Sequence, residues 1–208
     1  MKDFGYNKEE IKIFRKLSSP QKIQDFLNSL PFNFEKRGET CMSPRKVLDN
    51  KLAHCMEGAI LAAAALEFHG AKPILLDLRS TEKPYDFDHV VAVFKIEGCF
   101  GAISKTNHSV LRYREPIYKT LRELVLSYFH EYFLNSGQKT LREYSVLLDL
   151  NKFNKLNWRT SNKNLFEIPE YLDKVKHHKI LTSKQIRNLR KADKVEIELG
   201  KIVEYLKK

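Results

Sequence analysis

At 208 residues, 42% hydrophobic and 30% charged, the chain has room for one sizeable core and the composition of an ordinary globular protein. The longest apolar run, residues 59–66, is too short to span a bilayer, and residues 1–17 lack an apolar signal core, so no membrane or export role is expected. Three cysteines (Cys41, Cys55, Cys99) make no even disulfide framework and point to a reducing, cytoplasmic setting. Of the net charge of +11, +8 lies in residues 151–208. Lysine dominates there, which reads as a solvated face, and nucleic acid is not expected as a partner.

Taken in order, the chain opens with a helix to Leu17, capped by Asn7 with Glu10 completing a capping box. Ser19-Pro20 starts a second helix, in which Ile23, Phe26, Leu27 and Leu30 recur at helical spacing until Pro31. No chemistry is expected from these two helices. Ser43-Pro44 begins a short third helix, and Asp49 or Asn50 is placed to cap the next one. That next helix has Cys55 in its first turn and is almost all Ala, Leu and Ile over residues 57–68. It is the strongest helix former in the chain and apolar all round, so it is expected to be buried. Gly70 follows as the left-handed residue past its end.

Residues 73–78 read as an apolar strand and residues 79–87 as a loop. Residues 88–96 read as a β-branched strand, Glu97-Gly98 as a turn, and residues 99–104 as the returning strand. A two-residue hairpin sets Ile96 opposite Cys99 and puts His89, Val91, Ser104 and Thr106 on one face, with Cys99 on the other as a core residue. Residues 116–133 carry one amphipathic stripe and are expected as a long helix. A last strand at 144–150 and two basic helices, 169–178 and 183–205, complete the order, with His177 and His178 exposed. The division expected is a main domain over residues 1–150 with the N-terminal helices, and a basic helical extension over 151–208 packed on it.

Chemistry concentrates in two places. Cys55 opens the buried helix, where unpaired N–H groups and the helix dipole favour a thiolate. His89 opens a strand 34 residues later. A thiol nucleophile needs a base within reach and a third group to orient that base.

Residues 49–106 resemble the transglutaminase-like superfamily, which shares the papain-like cysteine-enzyme core. The match rests on Cys55-Met56-Glu57-Gly58-Ala59 with Leu61, Leu66 and Gly70-Ala71-Lys72-Pro73, on Asp88-His89-Val90-Val91-Ala92-Val93, and on Phe100-Gly101-Ala102-Ile103-Ser104. Ser43-Pro44-Arg45, Arg122-Glu123-Leu124 and Ser127 to Tyr132 are similar to flanking segments of uncharacterised bacterial proteins of this type. The resemblance implies an α+β fold: a small antiparallel sheet against a buried nucleophile helix, with extra N- and C-terminal helices. It implies Cys55 as nucleophile, His89 as base and a peptide or amide substrate; no cofactor is expected, nor calcium, since the sequence shows no calcium loop, and His54, Cys55, Asp88 and His89 are not expected to hold a metal. The superfamily usually has Asp where Ser104 stands. Ser can orient the His but brings no charge, so Ser104→Asp is expected to raise turnover. Asn107 is the alternative orienting residue. For the oxyanion, the Cys55 N–H and the side chains of Asn50 or His54 are candidates. The reading that follows is a thiol-dependent acyl-transfer enzyme (cysteine peptidase, amidase or transglutaminase-like); the alternative is an inactive domain of the same fold kept as a binding module.

Overall fold

The structure, a computed structural model, describes residues 4–206. Residues 1–3, where the N-terminal reading begins, and Lys207 and Lys208, which end the basic region, lie outside the described residues. Helices α1 (Lys8–Lys16) and α2 (Pro20–Ser29) carry the caps expected, Asn7 with Glu10 and Ser19 with Pro20. Helix α3 (Pro44–Asn50) stops at Lys51, which adopts φ 55°. Asp49 and Asn50 are therefore the end of α3, and the cap of the next helix is His54. Between them, Ala53 bridges Phe32, fixing residues 31–35 beside the start of that helix.

Helix α4 (Cys55–Phe68) is buried over nearly its whole length. Its run of Ala side chains lets the sheet approach closely on one side and α2 and α3 on another. Gly70, at φ 93°, ends it: Gly70 N–H donates to Glu67 O and Ala71 N–H to Leu66 O, the paired bonds that close a helix through a left-handed residue. Strands β1 (Ile74–Arg79), β2 (His89–Ile96) and β3 (Cys99–Ile103) follow as an antiparallel run. Ile96 pairs with Cys99, and Glu97 and Gly98 both take positive φ, as a tight primed turn requires.

Residues 116–133 do not form one helix. Strand β4 (Arg114–Tyr118) pairs with β3 at the sheet edge, where Pro116 is tolerated, and Thr120 with Glu123 caps a shorter α5 (Leu121–Phe129). The expected last strand is two short ones, β5 (Glu143–Ser145) and β6 (Leu148–Asp149), both on β1; a 3₁₀ helix (Leu150–Leu156) follows. Helix α6 (Glu167–Lys174) ends early because β7 (His177–Lys179) joins β5. His177 is correspondingly not exposed: its Nε2 lies 3.0 Å from Asp77 Oδ2 and both side chains are buried. The final basic stretch forms two short helices, α7 (Ser183–Arg187) and α8 (Lys194–Gly200), each with its own capping box at Thr182 and Asp193. The sheet order is β4-β3-β2-β1-β5-β7, with β6 also on β1.

The architecture is α+β, with helices on both faces of an antiparallel sheet. On one face α4 packs with Leu75, Val90, Ala92, Phe94 and Ile103. On the other, Leu124, Val125 and Tyr128 of α5 pack with Leu76, Leu78, Val91, Val93 and Ala102. The last quarter is part of this core: Phe153, Trp158, Leu165, Ile168 and Leu172 share a cluster with α4. Cys99 is half-buried opposite exposed Ile96 at the hairpin end and is not a core residue. Among the described residues no helix is long and apolar enough to cross a membrane.

Candidate active site

The start of α4 and the open ends of β2 and β3 meet at a cleft of about 590 Å³. Its walls include His54, Cys55, His89, Lys105, Leu111 and Tyr132. Cys55 is the first residue of α4, where no carbonyl of the helix reaches its N–H. Burial pushes its thiol up, but hydrogen bonding from His54 and His89 and the charge of the two rings outweigh burial and bring it down to about 5. Both rings line the same cleft as the thiol and favour its thiolate.

His89 is buried, and its Nε2 lies 2.7 Å from Ser104 Oγ. Ser104 Oγ also donates to Leu111 O at 2.6 Å. A carbonyl can only accept, and a serine hydroxyl has one proton, so that proton goes to Leu111. Ser104 Oγ must then accept from His89 Nε2–H. This fixes the ring as the Nε2–H tautomer and leaves Nδ1 without a proton in the neutral ring. Leu111 is held in turn: its N–H donates to Glu131 Oε2, which Arg114 also grips at 2.6 Å. Leu111 sits at φ 60°, a conformation a branched side chain adopts only under constraint.

Ser104 is fixed by a residue outside the sequence reading. Gln24, buried on α2, accepts from Ser104 N–H at 2.9 Å and donates to Ser104 O at 2.8 Å. Helix α2 thus contributes to the site after all. The signal was a glutamine one residue from Ile23 and three from Leu27, on the helix's apolar side.

His54 and Glu57 form a second group. Glu57 is fully buried and accepts from Thr40 Oγ1, Met42 N–H, Asn33 Nδ2 and His54 N–H, at 2.7–3.1 Å. Every partner is a donor, as an acceptor-only carboxylate requires. His54 Nε2 lies 3.0 Å from Thr40 O, 3.4 Å from Glu57 Oε1 and 3.7 Å from Glu35 Oε1. Glu57 stood in the quoted motif without a role; its spacing of three from the cap residue was the available signal.

The other two candidates lie elsewhere. Asn50 is exposed and donates to Lys46 O, away from the cleft. Asn107 lines the cleft, but its amide is fully used on Tyr205, donating to Tyr205 O and accepting from Tyr205 N–H, both at 2.9 Å. It holds residues 201–206 rather than His89. Asp88 accepts from Ser80 N–H. Among the described residues no group of three or more His, Cys, Asp or Glu side chains converges as a metal site.

Lys105 is the remaining feature. It is buried, its Nζ meets Leu30 O at 2.5 Å, and burial lowers its ammonium to about 8. Gly58 makes room for it: a Cβ at Gly58 would stand 2.4 Å from Lys105 Cβ. No protein-family model and no curated protein matches this chain.

Proposed function

We infer that the protein is a thiol-dependent acyl-transfer enzyme of transglutaminase-like type, acting on peptide or amide bonds, with Cys55 as nucleophile. The carrying observation is the fixed tautomer of His89: Ser104 and Leu111 hold the proton on Nε2, so Nδ1 is the ring's free acceptor in the cleft that Cys55 also lines. A base with a free ring nitrogen, lining one cleft with a thiol brought down to about 5, supports nucleophilic catalysis. The thiolate attacks the acyl carbon, the amine leaves with a proton, and the thioester passes its acyl group to water or an amine. The Cys55 N–H, at the head of α4, is placed to bind the oxyanion. The order of Cys helix, strand, His strand and hairpin return supports the superfamily reading.

The test is covalent trapping by an activated ester, read by intact mass on wild type, Cys55→Ala and His89→Gln. An acyl adduct on wild type and none on Cys55→Ala is expected. Adduct undiminished in Cys55→Ala overturns the nucleophile. The inactive binding module draws on Ser104 standing where a carboxylate is usual. No adduct on wild type with any ester, despite a reactive Cys55, would favour it.

A further inference from the structure

Two imidazoles line one cleft with the Cys55 thiol, and their surroundings differ. We propose that in the resting site Cys55 gives its proton to His54, not His89, making His54 a second catalytic histidine and leaving His89 free for the acyl acceptor. The proposal rests on the acyl-transfer reading for its later steps but not for the resting state.

His54 Nε2 is committed to Thr40 O, so its Nδ1 is the atom left for the sulfur of the next residue. Two carboxylates flank the ring, Glu57 at 3.4 Å and Glu35 at 3.7 Å. Opposite charges at this range favour the imidazolium. Glu57 is locked by its four donors and cannot turn away. His89 has no such support, since its Nε2 partner is a neutral hydroxyl whose proton is spent on Leu111. The groups at His54 are thus Glu57 on its own helix, Glu35 on the 31–42 segment and the thiol of the next residue, Cys55. His89, Lys105, His108, Asp86, Asp88 and Glu131 line the rest of the cleft. In keeping with this, burial lowers His54 but the thiol, Glu57 and Thr40 outweigh it and raise the ring to about 9.

The carboxylate missing behind His89 is therefore present behind His54. The proton balance closes. The S–H bond breaks and its proton moves to His54 Nδ1. The thiolate attacks, and His54 gives that proton to the departing amine as the thioester forms. Water or an amine then adds to the thioester while its proton goes to His89 Nδ1, and collapse expels the thiolate. Transfer of that proton from His89 through the sulfur to His54 restores the start.

The test needs no substrate. The rate of Cys55 alkylation by iodoacetamide is followed from pH 4 to 10 by intact mass, on the full chain and on His54→Gln, His89→Gln and Glu57→Gln. Wild type is expected to reach half its plateau rate near pH 5. In His54→Gln the midpoint is expected to move to about 8.5, the ordinary thiol range, with a rate loss of about a hundredfold at pH 6.5. Glu57→Gln moves it part of the way, and His89→Gln by less than one pH unit. An equal or larger shift in His89→Gln than in His54→Gln overturns the proposal. Should His54→Gln not fold, nitrogen chemical shifts of the two wild-type rings at pH 7 decide it. The proposal requires both His54 nitrogens protonated and His89 neutral; the reverse overturns it. Failure of ester trapping with this alkylation pattern intact sinks the acyl-transfer reading and leaves the proton assignment standing.

Discussion

At the scale of single residues, Ser104 decides what kind of site this is. The sequence suggested that an Asp in its place would help, by stabilising an imidazolium at His89. The bonds Ser104 makes argue for the opposite outcome. Ser104 Oγ is a donor to Leu111 O as well as an acceptor from His89, and a carboxylate can only accept. An Asp there would face the Leu111 carbonyl with like partial charge inside a buried pocket. Ser104→Asp is therefore expected to cost about 3 kcal/mol in stability, as an imperfectly paired buried charge, and to turn over more slowly than wild type. Ser104→Ala, which removes one neutral hydrogen bond on each side, is expected to lower acylation about tenfold. Ester turnover and thermal melting of the three proteins check this, and a faster Ser104→Asp enzyme would refute it. Thiol reactivity separates the cysteines in the same way. Burial, with Glu57 adding to it, pushes Cys41 up to about 12 while Cys55 falls to about 5. At pH 7 Cys55 is then almost all thiolate and Cys41 almost all thiol. Peptide mapping after brief alkylation is expected to find label on Cys55 long before Cys41; comparable rates would show that Cys55 lacks an activated thiolate. Cys55 and His89 were legible because a helix start and a strand start are local signals. Glu57 and Gln24 were not, because a buried polar side chain acquires a role only from what folds against it.

At the scale of elements, the strip from α4 through β3 was readable almost residue by residue. Gly70 and Glu97-Gly98 mark their turns by conformational need, and the alternation in β2 and β3 fixes the register once the turn is placed. Reading failed where an element's fate depends on distant partners. Strand β7 exists because Tyr144 and its neighbours on β5 offer an edge and because buried Asp77 needs His177, 100 residues away. Periodicity in residues 169–178 carries neither fact. Strand β4 is hidden for the same reason, since residues 116–118 join onto the amphipathic helix that follows and only the edge of β3 makes them a strand. Gly58 tests how tightly these elements are matched. Its missing Cβ admits the Lys105 stem against α4, just past Ser104, and the clash would fall on Lys105 Cβ rather than on a flexible tip. Gly58→Ala is expected to destabilise by about 1–3 kcal/mol through overpacking and to lower ester acylation, because Lys105 cannot move without moving Ser104. An unchanged melting temperature with unchanged activity would show the contact to be slack. Asn107 tests the opposite wall. Its amide, Ser109 and the Arg112–Glu204 pair tie the 107–112 loop to residues 199–205. That loop also carries Leu111. Asn107→Ala is expected to lower acylation severalfold with little change in Cys55 alkylation, since it loosens the Leu111 support of His89 and leaves His54 untouched. Equal losses in both readouts would mean a general disturbance of the cleft.

At the scale of the whole molecule, the basic last quarter is structural in a way its charge conceals. Trp158 is fully buried in the cluster that holds α4. Arg159 grips Glu67 near the end of α4 through two bonds of 2.6 Å, Leu165 N–H donates to Cys41 O, and Ile180 sits in the cluster on the other face of the sheet. The lysines lie on the outside of elements whose inner sides are core, which is why composition suggested an appendage. A core shared in this way has no surface along which residues 151–206 could detach, so the chain is expected to unfold as one cooperative unit. The sequence contains one tryptophan, and it lies in the quarter in question. Its fluorescence reports that quarter, while far-UV circular dichroism reports the helices and sheet of the whole. In a urea titration the two signals are expected to share one midpoint and one slope, and a chain ended at residue 150 is expected not to fold, having lost Trp158 and β7 together. A fluorescence transition completed at lower urea than the dichroism transition would show instead an extension that separates from an intact domain, and the boundary near residue 150 would then be real.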